Sequence, residues 1–219
     1  MDIDLRLYAL VDPAVAGGRT LTDLAGLIAG SATLVQLRDK HRSTRAMVEE
    51  ARGLRAVLEP AGVPLLINDR VDVALAVEAD GVHIGQDDMT AEDARLLLGR
   101  TAIIGLSLST VQQAQAAPLD LIDYVGIGAV YPTGSKENAS TPIGVAGLHQ
   151  IAQVVRALRP GFPICAISGI NAGNAADTIA AGADGVAVIS ALSLAGDPGK
   201  AARELRAVVD DALKRRGVK

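Results

Sequence analysis

The sequence predicts a closed (β/α)8 TIM barrel, and three observations carry that prediction. Short β-rich apolar runs recur eight times, at 7–11, 34–37, 65–67, 81–84, 103–106, 124–129, 164–167 and 185–189. Between them lie stretches with helical spacing, such as Met47, Ala51, Leu54 and Leu58, or Ile151, Val154, Val155 and Leu158. The third is the palette. Hydrophobic residues make up 49% of the 219 but aromatics only 2%, with no Trp and one Phe. A core built from Ala, Val, Leu and Ile is that of buried parallel strands covered by helices. No linker interrupts the chain, so residues 1–219 read as a single barrel domain.

The elements can be justified in order. The first run, 7–11, opens the barrel. The second stops abruptly at Arg38-Asp39-Lys40; a buried strand ending in donors delivers them to a mouth, because a core cannot solvate them. The third ends at Asn68-Asp69. Glu78-Ala79-Asp80-Gly81-Val82 then takes a helix into the fourth run through a glycine-assisted exit, and Gly182-Ala183-Asp184-Gly185-Val186 repeats the device before the eighth. Both aspartates precede strands, which puts them on the bottom face of a barrel, away from the chemistry, and they read as structural. Thr90 with Asp93 has the pattern of a capping box, and Asn171 and Pro198 stand at helix starts. The basic tail at 214–219 reads as a solvated helix end.

Charge and cysteine narrow the function. The formal net charge of -4 argues against a nucleic-acid or membrane surface, which needs a dense basic face. Cys165, the only cysteine, sits in an apolar run and reads as a packing residue. No window is apolar for the length of a bilayer, and no basic start precedes a long apolar stretch, so a cytoplasmic protein is expected. A homodimer is expected, from the habit of enzymes of this size.

Barrel active sites lie at the C-terminal ends of the strands, and here those ends are unusually polar. The second strand gives Gln36, Arg38 and Lys40; the third, Asn68 and Asp69; the fourth, His83, Gln86, Asp87 and Asp88; the fifth, Ser107. The sixth leads into Thr133-Gly134-Ser135-Lys136, the seventh ends in Ser168-Gly169-Ile170, and the eighth in Ile189-Ser190. Asp69 and Asp88 follow neighbouring strands, where their carboxylates would converge on Mg²⁺ or cap the helices that follow; the sequence leaves both readings open. Arg38, Lys40 and Lys136 with a divalent ion would supply about +5 formal charge, a match for a pyrophosphate. The small residues after strands seven and eight suit a second site, for a phosphomonoester. His83 reads as a satisfied core or rim histidine, with a catalytic base as the other reading, and His41 and His149 as surface residues.

These motifs together resemble the thiamine phosphate synthase family. The resemblance rests on Gln36-Leu37-Arg38-Asp39-Lys40, Asn68-Asp69, Val82-His83-Ile84-Gly85-Gln86-Asp87-Asp88, Gly105-Leu106-Ser107, Tyr131-Pro132-Thr133-Gly134-Ser135-Lys136 and Gly182-Ala183-Asp184-Gly185-Val186, in barrel order over nearly the whole chain. It implies a transferase of thiamine biosynthesis. The enzyme would join 4-amino-5-hydroxymethyl-2-methylpyrimidine diphosphate to 4-methyl-5-(2-phosphoethyl)thiazole, or its 2-carboxy form, giving thiamine phosphate and pyrophosphate. Carried over by position, Gln36, Leu37, Arg38, Asp39, Lys40, Asn68, Ser107 and Lys136 hold the pyrimidine diphosphate, and Asp69 and Asp88 hold Mg²⁺. Thr133, Gly134, Ser135, Gly169, Ile189 and Ser190 hold the thiazole phosphate. Arg38, Lys40, Ser107 and Lys136 are the expected catalytic set.

One position departs from the family pattern. Ser168 stands where the family usually has glycine, bringing a Cβ and a hydroxyl to the phosphate loop. Three other functions remain open on the sequence alone: a related thiazole tautomerase, a sugar-phosphate isomerase barrel and a non-catalytic phosphate-binding protein. The retained cations and carboxylates speak against the first.

Overall fold

The computed structural model describes residues 3–134 and 141–217. Eight parallel strands close in sequence order: β1 (Leu7–Val11), β2 (Leu34–Leu37), β3 (Leu65–Asn68), β4 (Gly81–Ile84), β5 (Ile103–Leu108), β6 (Tyr124–Ile127), β7 (Ile164–Ile167) and β8 (Gly185–Val188). β8 pairs back onto β1 through Leu7 and Val186. Around them run α1 (Leu21–Ile28), α2 (Thr44–Leu58), α3 (Val71–Val77), α4 (Ala91–Leu98), α5 (Val111–Ala116), α6 (Gly144–Leu158), α7 (Ala175–Ala180), the one-turn α8 (Ser190–Ser193) and α9 (Pro198–Arg215). The strands begin where the sequence places them. β3 and β5 run further, to Asn68 and Leu108, while β6 and β8 end earlier, at Ile127 and Val188.

Alternation along the strands sorts the apolar residues into two cores. Leu7, Ala9, Val11, Val35, Leu37 and Ile67 face outward and pack with the helices. Tyr8, Leu10, Leu34, Leu66, Tyr124 and Cys165 face inward and fill the lumen. Because successive side chains point to opposite faces, Gln36 turns into the barrel while Leu37 turns away from it. Cys165 is fully buried, and burial pushes its thiol far up, which suits a packing residue.

At the bottom of the barrel a single device appears four times. The side chain just before each even-numbered strand accepts the N–H at the start of the preceding odd-numbered one: Thr33 from Leu7, Asp80 from Leu65, Asp123 from Ile104 and Asp184 from Ile164, at 2.8 to 3.0 Å. These amides lie at the sheet's end, where no ladder partner remains, and an unpaired buried N–H is costly. The structural reading of Asp80 and Asp184 is therefore accounted for by two bonds out of a set of four.

Local signals fare unevenly. Thr90 caps α4, accepting from the Asp93 N–H, but Asp93 takes the Thr90 hydroxyl rather than completing the box. Thr110 and Gln113 form a full box at α5. Pro198 opens α9 behind an Asp197 cap. Asn171 opens a turn, and α7 starts only at Ala175. The tail is not simply solvated: Arg216 folds back beneath the barrel onto Ile179, Ala183 and Asp184.

Candidate active site

The first half of the rim concentrates charge. Arg38 leaves the end of β2 and pairs with Asp12, which is buried at the end of β1. Lys40 pairs with Asp69. Asp69 is held at φ 61, a left-handed conformation that non-glycine residues rarely adopt and that clusters at functional sites. That turn places its carboxylate beside Asp88. Burial pushes the Asp69 carboxyl above its usual range, Asp88 adds to the rise, and Lys40 opposes it without winning. Asp88 is itself fixed by the Gly85 N–H at 2.7 Å.

Two adjacent carboxylates, with the ionisation of Asp69 resisted, are suited to a hard divalent cation. Among the described residues no group of three or more His, Cys, Asp and Glu gathers. A cation held here would thus take two protein carboxylates and complete its shell with water and substrate oxygen, which fits Mg²⁺.

The second half of the rim is a cavity of about 330 Å³ over the ends of β6, β7 and β8, lined among others by Thr133, Gly134, Gly169, Ile189 and Ser190. Gly169 has φ 66, and a Cβ there would lie 2.5 Å from the Pro132 carbonyl oxygen. Only glycine lets the β6 and β7 loops approach this closely. Ser168, at φ 88, donates its hydroxyl to the Tyr131 carbonyl at 3.0 Å. Its hydroxyl ties the two loops together at the wall of the cavity, which Ser168 helps to line. Ser190 begins the one-turn α8, where the first amides of a helix have no intrahelical acceptor.

Between the two halves lies the floor. His83 bonds Ser107 through Nε2 at 2.8 Å and Tyr124 through Nδ1 at 2.8 Å, consistent with a satisfied histidine. Gln86 donates to the Ser107 carbonyl at 2.7 Å.

Most of the expected residues converge. Gln36, Arg38, Lys40, Asn68, Asp69, Asp88 and Ser107 stand at the ends of β2 to β5, and Thr133, Gly134, Gly169, Ile189 and Ser190 at the ends of β6 to β8. Two do not fit their expected contact. Leu37 is fully buried in the outer core, so its side chain cannot reach a ligand in the mouth. Asp39 accepts from the His41 and Arg42 amides and pairs with the Arg42 side chain at 2.5 Å; burial raises its carboxyl, but these bonds outweigh it and hold it low. It organises the loop. Ser135 and Lys136 lie outside the described residues. Sequence reasoning missed Asp12, which offsets Arg38, so the cations and carboxylates nearly balance on this rim. The signal was present: Asp12 directly follows the first strand, as Asp69 follows the third.

The closed barrel, with cations and paired carboxylates on one side of its rim and a loop-lined cavity on the other, belongs to the class of (β/α)8 enzymes. Thiamine monophosphate synthase is the family whose sequence profile matches, over residues 7–192, and the chain belongs to it. It is 50% identical to the thiamine-phosphate synthase of Chloroflexus aurantiacus over 94% of each chain, and 47% identical to that of Agrobacterium fabrum over 98% of each. Among solved structures it resembles a thiamine phosphate pyrophosphorylase from Pyrococcus furiosus, with TM-score 0.83 and 36% identity over 96% of this chain and 98% of that one. An orotidine 5'-phosphate decarboxylase from Pyrococcus horikoshii, 16% identical with TM-score 0.67 over 92% of this chain and 99% of that one, shares the fold.

Proposed function

We propose that this protein is a thiamine-phosphate synthase, joining the aminopyrimidine methyl diphosphate to the thiazole ethyl phosphate. The observation that carries this reading is the division of one rim into two anion-facing halves of different chemistry. One has cations and paired carboxylates, suited to a diphosphate with Mg²⁺; the other is a backbone-lined cavity sized for a phosphomonoester. No helix among the described residues is long and apolar enough to cross a membrane.

The charges suggest how the site works. The C–O bond between the pyrimidine methylene and the diphosphate breaks, and the oxygen keeps the electron pair. The ring amino group delocalises the cation left behind, so no protein nucleophile is required. Arg38 and Lys40, with Lys136 assigned by resemblance, stabilise charge on the leaving group. Asp69 and Asp88 would hold Mg²⁺, which when bound supplies further positive charge against the pyrophosphate. Gln36, Asn68 and Ser107 orient the pyrimidine. Thr133, Gly134, Gly169, Ile189 and Ser190 anchor the thiazole phosphate, so that the thiazole nitrogen faces the cation and forms the new C–N bond. All described strands belong to one closed barrel and the described helices run around it, which supports reading 1–219 as one domain.

Mixing purified protein with both substrates and Mg²⁺, and weighing the product, tests the reading. Thiamine phosphate that disappears with EDTA is the expected result. Absence of product under saturating substrates and metal would overturn it.

A further inference from the structure

A polar path crosses the lumen, and the reaction as described uses only its two ends, Gln36 and Ser107. Gln36 on β2 bonds Tyr8 on β1 through Nε2. Tyr8 Oη meets Tyr124 Oη of β6 at 2.9 Å, Tyr124 Oη meets His83 Nδ1 of β4 at 2.8 Å, and His83 Nε2 meets Ser107 Oγ of β5 at 2.8 Å. Both tyrosines are buried among the apolar side chains of the lumen. Gly105 makes room for the path, since a Cβ there would lie 2.1 Å from the Tyr124 ring.

Counting protons gives the path a direction. Burial raises both phenols well above their ordinary range, so each keeps its single proton. Tyr8 accepts from the Gln36 amide, and so gives its proton to Tyr124. Tyr124 in turn gives its proton to His83 Nδ1. A neutral ring that accepts at Nδ1 carries its proton at Nε2 and donates to Ser107 Oγ. Ser107 is left with its hydroxyl proton for whatever lies above. At the other end Gln36 Oε1 is buried and has no hydrogen-bond partner among the described residues. The chain therefore presents an acceptor on one wall of the mouth and a donor on another. An aminopyrimidine carries the complement, an amino donor and ring-nitrogen acceptors.

We propose that Tyr8 and Tyr124 are positioning residues for the pyrimidine: their hydroxyl chain holds His83 as the Nε2–H tautomer and fixes Ser107 as donor and Gln36 as acceptor. This rests on the pyrimidine diphosphate reading given above. Neither tyrosine needs to touch the substrate.

Long-range ¹H–¹⁵N NMR of the labelled protein, with H83Q to assign the ring, reads the tautomer directly. In the wild type, Nε2 should carry the proton and Nδ1 none. Y124F should mix the tautomers and raise the KM for the pyrimidine diphosphate about tenfold, while the KM for the thiazole phosphate stays within about twofold. Y8F frees the Gln36 amide and removes the donor to Tyr124, whose own hydroxyl still donates to His83 Nδ1; it should raise the same KM and leave the tautomer alone. A wild-type ring protonated at Nδ1, or at both nitrogens, overturns the proposal, and so does a Y124F enzyme with tautomer and both KM values unchanged. The wild-type spectrum and Y8F decide the matter even if Y124F fails to fold. A wild type that shows the expected tautomer but makes no product overturns the role in pyrimidine positioning, and assigns the failure to the functional reading rather than to the hydrogen-bond chain.

Discussion

The two ends of this barrel are ringed by the same residue types used in opposite ways. At the bottom, Asp80, Asp123 and Asp184 accept strand-end amides, and Arg95, Arg156 and Arg216 close over the last two. Each of these three aspartates has a permanent partner. At the top, Asp69 and Asp88 lie against each other, Asp69 and Ser168 hold left-handed backbone, and Lys40 is the only described cation paired with the crowded Asp69. A carboxylate that satisfies backbone stabilises the fold, whereas one crowded by another carboxylate costs stability and is relieved by a ligand cation. The three aspartates that precede strands all serve the first use, whereas after the strands both occur, Asp39 holding backbone amides and Asp69 crowded by Asp88.

That contrast predicts which end each substitution damages. Asp88→Asn should show the largest effect, lowering kcat about 100-fold or more while leaving the melting temperature of the metal-free protein equal or higher. Steady-state rates and thermal melts on the same preparation check it, and a lower melting temperature with activity retained would place Asp88 with the bottom aspartates.

Asp184→Ala is the mirror experiment. It strips the Ile164 amide and Arg156 of their acceptor and Arg216 of its carboxylate partner. The site is partly solvated, so the expected loss is about 2 kcal/mol, or roughly 4–8 °C in Tm. The kcat/KM of the folded fraction should not move.

Ser168→Gly sharpens the comparison on a smaller scale, because it relieves a strained φ while cutting the bond to Tyr131. Strain relief and lost hydrogen bond oppose each other, so Tm should stay within about 2 °C. The loosened loop should raise the KM for the thiazole phosphate about threefold, and an unchanged KM would show that the tie does not shape the cavity.

The smallest effect lies in pH. The Asp69 carboxyl is raised in the fold, so it binds its proton more tightly there than in the unfolded chain. Its contribution to stability is therefore full below the ordinary carboxylate range and is lost as pH rises through the raised value. Without Mg²⁺, Asp88→Asn should flatten this loss, and differential scanning calorimetry from about pH 4 to 7 would detect it. A profile identical to the wild type would remove Asp88 as the cause.

How far the molecule was legible depends on the range of the interactions involved. Each strand announced itself through three to six contiguous residues, and Asp69, Asp88, Gly169 and Ser190 could be assigned to the rim because they lie in the loops that follow strands. The division between Gln36, which enters the mouth, and Leu37, which leaves it, needed only the period-two alternation, but sequence reasoning grouped the two as one motif. Asp39 looked like a site residue because its neighbours are, and only its bonds to the following loop show its employment there.

The sequence by itself determined the barrel, its strand order, the family and the ring of residues from which the site is drawn, because runs of apolar residues and the punctuation between them are local and repeat eight times. Tertiary structure decided which charges are already spent and how the lumen is wired. Arg38 meets Asp12, 26 positions away, and Tyr8 meets Tyr124, 116 positions away. Closure of the barrel brings such pairs within bonding distance, and which inward side chains then meet depends on a register that no single strand carries.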